Sequence, residues 1–183
     1  MMQQYLIENS WGLERYIDMV ENIDINSPAW RKKFSWYYNL RLTEKRMSDM
    51  LAVYESLGDK ADFATLMHAL GGCSAAFASK LLATINPDLP IIDSRVINLF
   101  DKKINSVPER AISFYNELVD WYDRYLESEE CRCYLNWFDT ATQRFADKIS
   151  RHKKVDFLLW SVGGLKDTDI KQKLINKYLK GWV

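Results

Sequence analysis

Two short stretches of this chain hold side chains whose types and spacing could do chemistry. The first is Leu70-Gly71-Gly72-Cys73-Ser74, set between two apolar segments. A tight glycine-containing turn between two helices can leave backbone N–H groups pointing outward. Such amides, with the N-terminus of the following helix, can hold a phosphate oxygen without touching a base. Gly72 would let the phosphate approach closely, and Ser74 could add a hydroxyl. The second stretch is Leu89-Pro90-Ile91-Ile92-Asp93, whose acid opens a helix just after an apolar run. That places the Asp93 carboxylate where backbone meets core. Arg95, two residues on, can contact a phosphate or simply hold Asp93. Both stretches also have a plain structural reading: a Gly-Gly helix stop, and an aspartate acting as an N-cap.

The elements that must position these groups are helices. Leu13, Tyr16, Ile17 and Val20 follow the i, i+3, i+4, i+7 rule, with Ser10 as a candidate cap. Ser27-Pro28 is a helix start, a capping hydroxyl followed by proline at the first helical position. Trp30, Phe34, Tyr37 and Tyr38 then form an aromatic face. Thr43 caps a helix with the stripe Met47, Met50, Leu51, Tyr54, stopped by Gly58. Phe63 to Leu70 and Phe77 to Ile85 are the two helices flanking the glycines. Asn86-Pro87-Asp88-Leu89-Pro90 cannot be helical, because each proline restricts itself and the residue before it. Beyond Asp93, Ser106 and Glu109 read as a capping box around Pro108, opening a long helix through Leu126. Further helices are expected over roughly 129–146, over Val155 to Val162 before Gly163-Gly164, and along an amphipathic tail from Asp167. No period-two run long enough for a sheet appears, so the fold class is all-α.

The totals agree. The chain has 183 residues, 48% of them hydrophobic, with 7 Trp, 10 Tyr and 8 Phe, enough for one unit with a substantial core. Lysines and arginines equal aspartates and glutamates at 25 each, so nothing global advertises nucleic acid. Any such binding must come from a local basic group. Three are visible: Arg31-Lys32-Lys33; Lys148, Arg151, Lys153 and Lys154; and the lysines from Lys166 to Lys180. No window holds the ~18 uninterrupted apolar residues of a membrane span. Three cysteines at uneven spacing make a poor disulfide framework and suit a reducing cytoplasm, where the protein is expected. Cys131-Arg132-Cys133 lacks further ligands at metal spacing, as do His68 and His152, so no metal site is expected.

Taken together, residues 66–100 resemble the helix-hairpin-helix superfamily of base-excision DNA glycosylases, which includes endonuclease III and the 8-oxoguanine DNA glycosylases. Leu70-Gly71-Gly72-Cys73-Ser74 occupies the hairpin, Ala78-Ser79 the packed start of its second helix, and Leu89-Pro90-Ile91-Ile92-Asp93 the stub that ends in the family's catalytic aspartate. Lys154-Val155-Asp156-Phe157-Leu158-Leu159-Trp160 is similar to the helix that follows in the archaeal-type 8-oxoguanine glycosylases. The resemblance implies two helical lobes with a cleft between them, one over 27–88 with the hairpin at 66–85, the other 1–26 plus 89–183. It implies double-stranded DNA as partner, with Gly71, Gly72, Cys73, Ser74 and Arg95 as phosphate contacts. Asp93 would stabilise the oxocarbenium-like sugar formed as a flipped-out base departs. Trp36, Tyr37 and Tyr38 are candidates for the base pocket. The relatives also imply a monovalent cation at the hairpin. The four-cysteine pattern of an iron–sulfur cluster is missing.

The sequence departs from the family pattern in three places. The hairpin's second glycine is Ser74, which requires φ to stay negative there. The position of the Schiff-base lysine of bifunctional members falls on Ala76 (or Ala75). Lys80 lies one helical turn further on, too far for that role, so a monofunctional enzyme without lyase activity is expected. Only 92 residues precede Asp93, fewer than a full barrel with base-reading loops uses. A non-catalytic DNA-binding relative, or a protein-interaction domain that kept only the fold, is the alternative.

Overall fold

The computed structural model describes residues 11–71, 74–104 and 107–183. Among these the chain is helical, with no strand. Ten α-helices run in order: α1 (Trp11–Val20), α2 (Pro28–Tyr37), α3 (Glu44–Leu57), α4 (Phe63–Leu70), α5 (Ala75–Ile85), α6 (Ser94–Leu99), α7 (Pro108–Leu126), α8 (Glu129–Ala141), α9 (Arg151–Gly164) and α10 (Thr168–Leu174). A 3-10 turn follows α3 (Gly58–Lys60) and another follows α8 (Gln143–Lys148), while α10 runs into one π-helical turn (Ile175–Leu179).

Side-chain caps fix most of the starts, as their sequences dictate. Ser27, Thr43, Asp62, Asp93, Ser128, Ser150 and Asp167 each accept a backbone N–H from the first turn of their helix. Two expectations need correction, and the Ser106–Glu109 box falls on Ser106, which lies outside the described residues; α7 has Val107 at its cap position and Pro108 in its first turn. The helix expected over 129–146 ends at Ala141. There Thr142 turns its hydroxyl back onto the Phe138 carbonyl (2.8 Å), and the chain continues as a 3-10 turn. Finally, α9 begins four residues before Val155, and the glycines Gly163 and Gly164 are its last turn rather than a stop beyond it.

The buried apolar side chains form one connected cluster from Leu13 to Leu179. The long α7 lies against α4, α8 and α9, and it holds the C-terminal segment by two bonds. Tyr125 O–H donates to the Tyr178 carbonyl (2.7 Å), and the Trp121 indole donates to the Trp182 carbonyl (2.8 Å). Helix α9 is buried on nearly every side: from Lys153 to Leu159 every residue is covered. A helix enclosed in this way shows no single apolar stripe, which is why its charged first half read as surface.

The tightest helix–helix approach joins α9 to α6. A Cβ built on Gly163 would fall 2.4 Å from the Arg95 carbonyl oxygen, and one on Gly164 2.5 Å from the Arg95 guanidinium. The first contact is with backbone, which cannot swing aside. Gly163→Ala is therefore expected to cost about 1–3 kcal/mol through overpacking and to lower the melting temperature by several degrees. Gly12→Ala, in α1 with nothing within 4 Å of the added carbon, should be neutral or stabilise by up to ~1 kcal/mol. Thermal melts of the two variants test the assignment.

Candidate functional site

Asp93 is built from two directions. Ile91 and Ile92 are buried at 5% and 1% exposure and anchor the stub in the core. The Ile92 N–H donates to Ser79 Oγ (3.0 Å), which ties the stub to the middle of α5. Because Ser79 is held against Ile92, its neighbour Lys80 is delivered to the neighbour of Ile92. Lys80 Nζ lies 3.1 Å from Asp93 Oδ2. The other oxygen, Oδ1, accepts the Arg95 N–H at 2.8 Å and caps α6. Asp93 is thus both the cap and half of an ion pair, with its side chain 16% exposed and that of Lys80 8%.

Lys80 sits one turn beyond Ala76, as expected, and is paired with Asp93. The stub folds back across α5 and brings the carboxylate to Lys80. The remaining surroundings of the ammonium come from the end of α2. Lys80 Nζ is 3.4 Å from the Tyr38 carbonyl and 5.6 Å from the centre of the Tyr38 ring. The Thr84 hydroxyl, 3.1 Å from the Tyr38 hydroxyl, donates to the Lys80 carbonyl.

A second buried ion pair backs the first through the same tyrosine. Lys153 and Asp156, one turn apart on α9, meet at 2.8 Å. The Lys153 ammonium faces the rings of Tyr16 (4.9 Å), Tyr38 (5.4 Å) and Tyr37 (5.8 Å), and Tyr122 O–H reaches Asp156 Oδ1 at 3.5 Å. Burial by itself would push Lys153 down. The Asp156 carboxylate and the three tyrosines outweigh it, and the ammonium is held well above its ordinary range. Burial raises the Tyr38 hydroxyl to about 12, opposed by the positive Lys153.

The residues singled out in the sequence are distributed unevenly. Tyr37 and Tyr38 join the Lys153 cage, and Tyr38 also reaches the Lys80–Asp93 pair. Trp36 does not join them. It is 54% exposed, carries the Arg15 guanidinium 3.2 Å above its ring, and lines a groove of about 1020 Å³ with Pro28, Arg31, Lys32 and Leu40. No residue of the Lys80–Asp93 pair lines that groove. Arg95 uses only its backbone on Asp93. Its guanidinium stacks on Trp160 (3.7 Å), a ring left 36% exposed, over the glycines of α9.

At the hairpin, Gly71 closes α4 with φ +77° and ψ 161°, a conformation essentially reserved for glycine. Ser74 has φ −112°, so a non-glycine residue fits there without strain, and it is buried at 2% exposure. Gly72 and Cys73, and with them the expected cation position, lie outside the described residues. Among the described residues no group of three or more His, Cys, Asp or Glu converges as a metal site would require, and no helix is long and apolar enough to cross a membrane.

Apart from Lys32, which lines the groove, the first two basic groups are committed to the protein itself. Arg31 donates to the Ile25 carbonyl and the Ser48 hydroxyl and pairs with Glu44, and Lys33 pairs with Asp18. In the second group, Lys153 and Lys154 are buried on Asp156 and Asp139, Arg151 donates to the Leu126 carbonyl, and Lys148 pairs with Glu21. No protein-family model, curated protein or solved structure matches the chain.

What the sequence did not show is the pairing of Ser79 with Ile92, Lys80 with Asp93 and Lys153 with Asp156. The one available signal was Lys153 with Asp156 at i, i+3, a spacing that allows a pair but does not say whether it is inside. Removing one partner should expose the dependence. Asp156→Ala, which strands a buried ammonium, is expected to cost about 3–5 kcal/mol. The double change Lys153→Met with Asp156→Leu should recover most of that loss in denaturant titrations. Equal destabilisation by single and double variants would contradict the buried pair.

Proposed function

We propose that this chain is a helix-hairpin-helix DNA glycosylase that excises a base from double-stranded DNA by hydrolysing its N-glycosidic bond. The observation that carries the reading is Asp93: a carboxylate on a rigid buried stub, oriented by the Arg95 N–H and by Lys80, with one edge open to solvent. In this reading α4 and α5 form the hairpin that grips a phosphate, two helical lobes flank a cleft with Asp93 at its floor, and the work is done in the cytoplasm.

A carboxylate so placed suits a reaction whose charge develops on a sugar. As the bond from C1′ to the base nitrogen breaks, the electron pair leaves with the base and the sugar becomes cationic. A fixed anion beside C1′ stabilises that cation without having to reorganise, and water then adds to C1′ as its proton departs. Lys80 holds Oδ2 and Arg95 holds Oδ1, so the carboxylate cannot turn away into the core. Trp160, 36% exposed, carries the Arg95 guanidinium on its ring, and Tyr38 meets Lys80 through its carbonyl.

The decisive assay is base release from a panel of duplexes carrying damaged or mispaired bases, comparing the wild type with Asp93→Asn. Asparagine keeps the cap and an oxygen toward Lys80 but takes the anion from that buried ammonium, so the variant is expected to fold with a lowered melting temperature and is assayed below it. Loss of the charge should slow release by about 10²–10³-fold while leaving DNA binding nearly unchanged. Release by Asp93→Asn at the wild-type rate removes the proposed role of the carboxylate. Absence of both release and DNA binding in the wild type removes the repair reading altogether.

A second reading is favoured by one specific distance, the 3.1 Å between Lys80 Nζ and Asp93 Oδ2. An amine beside the carboxylate could itself attack C1′ once its proton had passed to a base, forming an imine to the opened sugar as the nucleobase leaves. Borohydride reduces such an imine to a stable protein–DNA adduct. A trapped adduct that disappears in Lys80→Gln establishes the bifunctional reaction, and base release without any adduct establishes the hydrolytic one.

A further inference from the structure

Of the three basic groups in the sequence, the last is the one whose lysines make no ion pair among the described residues. The segment from Leu165 to Val183 contains five lysines and two aspartates, a net +3, so the rest of this neutral chain carries −3. Lys166, Lys173, Lys177 and Lys180 are exposed, and neither they nor Lys171 makes an ion pair among the described residues. Asp167 is occupied as the cap of α10, accepting the N–H groups of Asp169 and Ile170.

These lysines stand on a fixed surface. Leu174, Tyr178 and Leu179 are buried at 3%, 1% and 0% exposure, and the segment is bonded to α7 through the Tyr178 and Trp182 carbonyls. Lys173 lies in the last turn of α10, Lys177 in the π-helical turn, and Lys180 just beyond it with extended backbone. Three cations within eight residues can meet neighbouring phosphates of one strand, spaced ~3.4 Å along the axis.

The segment also starts beside the candidate site. It leaves α9 at Gly164, the residue over which the Arg95 guanidinium lies, and Arg95 belongs to the helix that Asp93 caps. The lysine-bearing segment thus continues directly from the helix that packs on Arg95. We propose that Lys173, Lys177 and Lys180, with Lys166 nearest the site, form a sequence-independent phosphate contact that holds the flank of the DNA. The inference rests on the glycosylase reading and names the surface that supplies its affinity.

The test is fluorescence anisotropy of the full chain on a labelled duplex, with salt raised from about 50 to 200 mM. The variant is Lys173→Gln, Lys177→Gln, Lys180→Gln. A control triple, Lys45→Gln, Lys60→Gln, Lys103→Gln, makes the same charge change elsewhere. Each lost phosphate contact lowers the slope of log K against log salt by ~0.9, so the tail variant should show a slope smaller by roughly 2.7. Over that interval the wild type should lose roughly 40-fold more affinity than the tail variant, and the control triple should follow the wild type. A wild-type slope in the tail variant, or an equal drop in the control triple, overturns the inference while base release by the wild type leaves the glycosylase reading standing. No DNA binding by the wild type at low salt overturns both. Binding to phosphatidylserine vesicles in place of duplex overturns the DNA assignment and makes the lysines a membrane contact.

Discussion

Every buried ammonium group in the described structure must find an anion, and the arrangement of helices around Asp93 follows from that requirement. Lys80, Lys153 and Lys154 are each less than 8% exposed. Stripping an ammonium of water costs several kcal/mol, recovered only if a carboxylate and further polar groups are within reach. The three partners come from different places. Asp93 reaches Lys80 from the start of α6, Asp156 reaches Lys153 from the same helix, and Asp139 reaches Lys154 from α8. Each pairing fixes one packing relation: α5 with α6, α9 with the tyrosines of α1, α2 and α7, and α9 with α8. The candidate site lies where the first two meet, on either side of Tyr38.

Helix starts and the all-α class were legible because they depend on neighbours in sequence. Ser27 before Pro28, Thr43, and Asp93 after an apolar run each carry a local signature, and each caps as read. What sequence could not show was which charges are inside. Lys153 and Lys154 sit in a run of basic residues that resembles a solvated face, yet α9 is buried all round. Lys80 was excluded by counting along one helix. Its role depends on how the stub from Leu89 to Ile92 folds back over α5, a matter decided by the hydrogen bond from Ile92 to Ser79. The Gly163-Gly164 pair read as a stop signal, whereas the pair is there because the Arg95 backbone and guanidinium occupy the space a Cβ would need.

The neutral total conceals a division of charge by function. Apart from Lys32, cations in the first two basic groups are paired with carboxylates or donate to main-chain carbonyls. The lysines of the C-terminal segment are carried on a surface that α7 holds by two bonds, and of them Lys177 lies over the Tyr178 ring. Trp36, the most exposed of the aromatic candidates, lies on a separate face with Arg15 stacked over it, while Tyr38 links the two buried pairs. Aromatic residues adjacent in sequence therefore serve different surfaces of the molecule.

The bond between Ser79 and Ile92 has a consequence for the order in which the chain assembles. It closes a loop of 13 residues, as does the Lys80–Asp93 pair beside it. Short loops close fast and at small entropic cost. Helices α5 and α6 with the stub between them thus form a compact unit whose contacts are available early in folding. The Lys153 cage joins residue 153 to residues 16, 37 and 38, and it can close only after most of the chain is in place. The carboxylate is thus set by contacts close in sequence and backed by contacts distant in it.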